Sequence, residues 1–153
     1  MKLATLRTGF GTSAIRIDGD NVGVELDYED VGQLLRSEDW RKAAQLSGEP
    51  IVFDQHDLEA VVPTPGKIIC VGLNYAKHIR EMGRDFPEHP TLFIKFADAL
   101  TGPFDDVYIP EYATQKLDYE GELAVVIGER THRVTRADAL DYVAGYSIMN
   151  DYT

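Results

Sequence analysis

The sequence predicts a mainly β protein with short helices, an α+β chain with a small β-rich N-terminal domain. Four apolar runs of strand length occur after residue 66, at residues 67–73, 91–96, 123–127 and 143–149. Only short helical stretches separate them. Nearer the N-terminus, Asp18-Gly19-Asp20 lies between two strand-like segments, and Gly19 is expected to take the positive φ of a hairpin turn. These patterns together indicate sheets linked by turns.

Composition excludes several classes of function. The chain has 153 residues, is 44% hydrophobic and carries a formal net charge of -11, so it can bury a core but lacks the clustered cations that nucleic acid or anionic membranes require. It has no apolar run of about 20 residues and no signal peptide, which predicts a cytoplasmic location. The single cysteine, Cys70, cannot form an internal disulfide and is interpreted as a small buried hydrophobe.

Residues 1–62 are predicted to form a small α+β domain. Asp30 is placed to cap a short helix that runs to residue 35, and Ser37 to cap a second over 38–46. Residues 63–66, with two prolines and a glycine, form the predicted linker, because proline enforces extended backbone and glycine permits a change of direction. The second domain is then residues 67–153.

Within that second domain, two local signals define short helices. A strand over 67–73 is followed by a turn at Asn74 and a helical stretch that Gly83 ends. Further along, Thr135 and Asp138 form a weaker relative of a capping box before a short helix to about residue 142.

Two carboxylates stand in a strand that should be apolar. Glu120 and Glu122 alternate with apolar residues, so they share a face with Ala124 and Val126. Burying two like charges costs several kcal/mol unless a cation lies between them. The alternative is a solvated face, but apolar residues on both faces favour a strand whose glutamate face is covered.

A third carboxylate, Asp151, ends the next strong strand and can reach the end of a neighbouring one. Three carboxylates, with water completing an octahedron, suit Mg²⁺ or Mn²⁺, with Ca²⁺ as a further alternative. The absence of a Cys or His cluster argues against zinc.

Another pair of residues has the spacing of an acid–base dyad. His78 and Glu81 lie three apart on a helical stretch, where a carboxylate can orient an imidazole, although a surface pair has the same pattern. Lys95, alone in an apolar strand, either reaches solvent or faces a site as a cation for an anionic substrate. The other histidines are interpreted as surface residues: His56, His89 and His132.

Four segments, in this order and spacing, resemble the fumarylacetoacetate hydrolase family. They are ICVGLNYAKHIREM at 69–82, LFIK at 92–95, DYEGEL at 118–123 and GYSIMND at 145–151. The resemblance implies the family's mixed β-sandwich roll, a divalent ion on Glu120, Glu122 and Asp151, and a homodimer. It also implies a lid helix that carries the His78 and Glu81 dyad, and catalytic participation of Lys95.

Two departures refine the resemblance. The hydrolase that names the family has an additional aspartate ligand upstream of its His, and here that position falls within 69–71. This is typical of the smaller acylpyruvate hydrolase, 2-hydroxyhepta-2,4-diene-1,7-dioate isomerase and decarboxylase branch. The family's core also continues past the position of Asp151, so the chain is expected to be the N-terminal part of the catalytic domain.

The resemblance therefore implies an enzyme of aromatic-compound catabolism that acts on a small anionic 2-oxo or enol carboxylate. The leading hypothesis is hydrolysis of a carbon–carbon bond in an acylpyruvate through a metal-stabilised enolate, with His78 activating water. Isomerisation or decarboxylation at the same site are the alternatives. A non-catalytic domain with a structural ion is the alternative from another class.

Overall fold

The computed structural model describes all 153 residues, which form two compact units. One unit comprises Met1–Val62 together with Thr101–Thr153, and the other comprises Pro63–Leu100. The second unit thus begins at the first proline of the predicted linker, while residues 101–153 belong with the N-terminal sheet. None of the helices has both the length and the apolar character that crossing a membrane would require.

The first unit contains a four-stranded antiparallel sheet in the order β1-β2-β3-β4. Its strands are β1 Lys2–Thr8, β2 Gly11–Gly19, β3 Val22–Glu25 and β4 Pro50–Val52. The predicted hairpin joins β2 to β3, but Asn21, with φ 57°, takes the left-handed conformation instead of Gly19. Asparagine tolerates this region because its side chain bonds locally.

Two short helices lie between β3 and β4 in the sequence, α1 Val31–Leu35 and α2 Trp40–Ala43. Asp30 caps α1 as predicted, because its side chain accepts from the Gln33 amide at 2.8 Å. The second helix is shorter than predicted: Asp39, not Ser37, is its N-cap residue, and its side chain makes no capping bond. Without that bond the helix depends on burial of Trp40.

The core of this unit lies between the sheet and the helices. One buried cluster contains Leu34, Trp40 and Ala14, and Ala144 from the far end of the chain packs against it. The one buried polar residue in the core, Thr5, is satisfied because its hydroxyl donates to the Val61 carbonyl and accepts from the Val31 amide. Residues distant in sequence therefore share one core.

An ion-pair network in the first unit connects β1 to the segment after residue 100. Arg7 donates to both carboxylate oxygens of Asp105, at 2.7 Å for Nη1 to Oδ1, and to Glu59 at 2.8 Å. The amide of buried Gly102 also donates to Asp105, at 2.7 Å. A Cβ at Gly102 would lie 2.8 Å from the Leu58 carbonyl oxygen, so no side chain fits there. The Arg7 hydrogen bonds, followed by the Gly102 bond, hold the pKa of the Asp105 carboxyl below its ordinary value.

This lowered pKa predicts an acid-sensitive contribution to stability. The ionised form of Asp105 is favoured in the folded state, so its stabilisation is present above the ordinary Asp pKa of about 3.9 and is lost as the pH falls through the lower folded value. We expect Asp105→Asn to lower the thermal midpoint by roughly 2–4 °C at pH 7 and progressively less below pH ~4. Circular dichroism melts of both proteins at several pH values measure this. Asp106→Asn, an exposed neighbour with the same charge change, is the control, and a difference that does not change with pH would contradict the assignment.

The second unit consists of a hairpin, one α-helix and a 3₁₀ turn, Ala97–Ala99. Its strands β5 Ile68–Gly72 and β6 Thr91–Lys95 pair antiparallel, and α3 Ala76–Glu81 lies between them in sequence. Gly83 ends this helix as predicted, with φ 64°. The Arg84 amide donates to the Ile79 carbonyl, which satisfies a terminal carbonyl of the helix.

The last two strands form a separate antiparallel pair in the first unit. They are β7 Gly121–Ile127 and β8 Val143–Asn150. A 3₁₀ turn, Ala139–Tyr142, precedes β8, and the predicted Thr135 and Asp138 pair is present, with the Thr135 hydroxyl donating to Asp138 at 2.6 Å. The predicted cover over the glutamate face of β7 is partial, because Glu122, Ala124 and Val126 are half-buried while Glu120 is exposed. The opposite face of β7 is open, with Leu123 and Val125 59% and 49% exposed. The reason is that a two-stranded sheet leaves this face without a covering layer.

Candidate functional site

The pairing of β7 with β8 sets the geometry of the three predicted metal ligands. Gly121 stands opposite Asn150, and the Asp151 amide donates to the Glu120 carbonyl at 2.8 Å. Asp151 is therefore directly opposite Glu120, and residues directly opposite in an antiparallel pair point to the same face. Since Glu122 is two residues from Glu120, all three carboxylates share one face at one end of the strand pair.

The ladder continues beyond the strand ends and holds this carboxylate-bearing end in place. Asp118 and Thr153 exchange both backbone hydrogen bonds, at 2.8 and 3.2 Å. Asp118 lies on the same face as Glu120 by alternation, and its carboxylate accepts from the Tyr119 amide at 2.8 Å. Asp118 was not among the predicted site residues, although the alternation of residues in the segment 118–122 places it on the same face as Glu120 and Glu122.

The donor set fits a hard divalent ion in its chemistry. Glu120 is exposed, while Glu122 and Asp151 are half-buried, and all offer only oxygen, which Mg²⁺, Mn²⁺ and Ca²⁺ prefer. In the structure no three His, Cys, Asp or Glu side chains are already gathered closely enough to hold an ion. The fit therefore rests on the strand register, which puts the three carboxylates on one face. Their side chains need to rotate toward one another to bind one ion.

The predicted dyad lies on α3 in the second unit. His78 and Glu81 are exposed and one helical turn apart, and Ile79 between them is buried. Glu81 forms an ion pair with Lys77, its neighbour four residues away, at 3.7 Å. Because both partners are largely exposed, this pair is weak and leaves the Glu81 carboxylate available to an imidazole.

Lys95 lies at the end of β6, opposite Ile68. It is half-buried and shares its face with Phe93 and Cys70. Cys70 is half-buried too, so the predicted full burial is not observed. A half-buried ammonium group can present its charge to an anionic substrate while its stem packs on apolar neighbours.

A strained turn joins β5 to α3. Leu73 has φ 53°, in the left-handed region that residues other than glycine rarely occupy. Such conformations cost on the order of 1–3 kcal/mol and are concentrated at functional sites. No sequence signal identifies Leu73, because a leucine in the sequence does not indicate a positive φ.

Each unit contains a cleft. The cleft of the second unit, about 290 Å³, lies between the β5–α3 turn and the loop after α3, and is lined in part by Leu73, Asn74 and His89. A larger cleft of about 550 Å³ in the first unit is lined by Glu25, Asp27 and other residues, none of which is a predicted ligand or dyad residue. The volume of a cleft therefore does not locate the site, whereas the register of β7 and β8 groups the predicted metal ligands.

Comparisons with known proteins agree with the motif pattern. The family described as fumarylacetoacetate (FAA) hydrolase, C-terminal, matches residues 67–153. The oxaloacetate tautomerase YisK of Bacillus subtilis is 52% identical over 99 residues, which is 63% of this chain and 33% of that protein.

Solved structures match over the whole chain. The 5-carboxymethyl-2-hydroxymuconate delta-isomerase of Mycobacterium smegmatis superposes with a TM-score of 0.76 at 29% identity, covering 100% of this chain and 55% of that one. The fumarylacetoacetate hydrolase of the psychrophile Exiguobacterium antarcticum gives a TM-score of 0.72 at 31% identity, covering 100% and 56%. The chain thus spans about half the length of these structures. The predicted fold class, mainly β with short helices, is confirmed, and the chain belongs to the fumarylacetoacetate hydrolase family of enzymes.

Proposed function

We propose that this chain carries the metal-binding carboxylates of an enzyme that interconverts keto and enol forms of a small anionic 2-oxo carboxylate, of the oxaloacetate type. The observation that carries the proposal is the register that places Glu120, Glu122 and Asp151 on one face at one end of β7 and β8. The 52% identity to an oxaloacetate tautomerase supports this choice among the reactions of the family.

Glu120, Glu122 and Asp151 would hold Mg²⁺ or Mn²⁺, with Ca²⁺ as the alternative, and leave the remaining positions to water or substrate oxygens. When bound, such an ion polarises a 2-oxo oxygen and favours the enolate. The contribution of the chain is to supply three negative charges from two adjacent strands, which offsets the cost of stripping water from the ion.

We assign the proton transfer to the His78 and Glu81 dyad. A ring nitrogen of His78 carries the proton between the carbon next to the 2-oxo group and the 2-oxo oxygen, from carbon to oxygen when the enol forms and from oxygen to carbon when the keto form returns. Glu81 accepts a hydrogen bond from the other ring nitrogen. Lys95 neutralises a substrate carboxylate. These roles come from the family resemblance and remain proposals, as do the homodimer and the cytoplasmic location.

The experiment is a spectrophotometric assay of enol-oxaloacetate decay to the keto form, with the chain in Mg²⁺ and in EDTA. We expect acceleration above the buffer rate in Mg²⁺ that EDTA removes. Bovine serum albumin at equal concentration controls for general base catalysis by surface groups. A rate equal to that of the buffer in both conditions would contradict the proposed function for this chain.

Acylpyruvate hydrolysis remains the second candidate, because a fumarylacetoacetate hydrolase is among the structures that match the whole chain. The two reactions differ in products, since hydrolysis releases pyruvate and a carboxylic acid and consumes water, whereas tautomerisation leaves the carbon skeleton intact. Mass spectrometry of the products after incubation with acylpyruvate and with oxaloacetate therefore separates them, and release of carbon dioxide would indicate the decarboxylase alternative. A protein that binds metal and accelerates none of these reactions would indicate a structural ion.

A further inference from the structure

The backbone of Glu120 is held in an unusual way. Its carbonyl accepts the Asp151 amide at 2.8 Å, as in an ordinary antiparallel ladder. Its own amide donates to the side-chain oxygen Oδ1 of Asn150 at 3.0 Å. A regular hydrogen-bonded pair would send that amide to the backbone carbonyl of the partner, as happens two residues earlier between Asp118 and Thr153.

Register shows that Asn150 is not itself placed as a ligand. Because Asn150 pairs with Gly121, its side chain starts on the face opposite to Glu120 and Asp151. Gly121 puts no side chain between the Asn150 amide group and the Glu120 N–H. The Asn150 oxygen thus substitutes for a main-chain acceptor, as short polar side chains often do in turns.

We propose that Asn150 is a positioning residue that fixes the Glu120 backbone so that the Glu120 and Asp151 carboxylates face one ion. This inference rests on the proposed function, because that function supplies the ion. The hydrogen bond from the Glu120 amide to Asn150 is observed independently of it. Glu120 lies just outside β7, so its orientation depends on a few bonds, and metal ligands must be held to within about 0.5 Å. Partners that orient a ligand typically change metal affinity 10- to 100-fold.

The test compares two substitutions of Asn150 in the 153-residue protein. Asn150→Leu keeps the approximate size and removes the acceptor, while Asn150→Asp keeps the Oδ1 acceptor. We expect the Leu variant to exchange the Glu120 amide proton roughly tenfold faster, measured by NMR without metal, and to bind Mn²⁺ about 10- to 100-fold more weakly. The Asp variant is expected to retain slow exchange and to bind Mn²⁺ at least as tightly as the wild type.

Asn74→Leu makes the same chemical change at an exposed asparagine of the second unit and is expected to alter neither readout. Faster exchange with unchanged Mn²⁺ affinity in Asn150→Leu would overturn the positioning role and leave the proposed function intact. Wild-type protein that binds no Mn²⁺ would overturn both. A Leu variant with unchanged exchange would show that another acceptor serves Glu120, and would overturn the role of Asn150.

Discussion

Replacement of Glu120 or Glu122 by glutamine is expected to weaken Mn²⁺ binding by on the order of 100-fold, with little change in the fold. Each substitution keeps the size of the side chain and removes one of three negative charges from the same face of the strand pair. Glutamine oxygen is a poorer ligand for a hard cation than carboxylate. Titration of free Mn²⁺ by electron paramagnetic resonance gives the affinity, and the far-ultraviolet circular dichroism spectrum checks the fold.

Glu129→Gln is the matched control. Glu129 follows the opposite end of β7, is exposed, and pairs with Arg41 at 3.7 Å, so its loss changes net charge by the same amount without touching the carboxylate face. If all three variants lost the same affinity, general electrostatic attraction would explain binding. Unchanged affinity in both Glu120→Gln and Glu122→Gln would exclude this face as the site.

Replacement of His78 by alanine is expected to lower the rate of keto–enol interconversion by roughly 10²–10⁴-fold, because a positioned general base contributes about that much. The metal affinity is expected to stay at the wild-type value, since His78 is assigned no coordination. Because the His78 side chain is exposed, its removal leaves the packing of the buried residue Ile79 on α3 unchanged. Steady-state kinetics and the same Mn²⁺ titration measure both quantities.

His132→Ala removes an exposed imidazole that has no assigned role and should retain wild-type turnover. A His78→Ala protein with full turnover would show that another group moves the proton. A His78→Ala protein that lost metal affinity as well would instead point to a ligand role.

Local sequence signals predicted the short elements well, because their causes are local. Asp30 caps its helix through a bond that spans three residues, and Gly83 ends α3 with a positive φ that glycine adopts at little cost. The β2–β3 turn was located correctly, but Asn21 competes for the left-handed position. Ser37 failed as a cap because the chain begins its helix two residues later.

The sequence pattern did not predict the contacts between segments that are distant in the chain. No local signal indicated that Ala144 packs on the N-terminal core or that Arg7 binds Asp105, since these contacts join residues far apart in the chain. The strand β1 was missed, because its short segment has no turn signal comparable to that of the β2–β3 hairpin. The domain division at residues 63–66 stays a prediction.

For the candidate site, the period of two placed Glu120 and Glu122 on one face, but only the strand register placed Asp151 there as well. The role of Asn150 required the side-chain hydrogen bond to be seen, because an asparagine at a strand end has many uses. The assignments of His78, Glu81 and Lys95 came from family motifs and remain predictions about chemistry.

The most direct measurement of the central claim is an anomalous difference map from crystals of the protein grown or soaked with Mn²⁺. We predict one strong peak within about 2.0–2.6 Å of carboxylate oxygens from Glu120, Glu122 and Asp151. A strong peak at another group of residues, with none at the end of β7 and β8, would contradict the assignment of this face as the metal site.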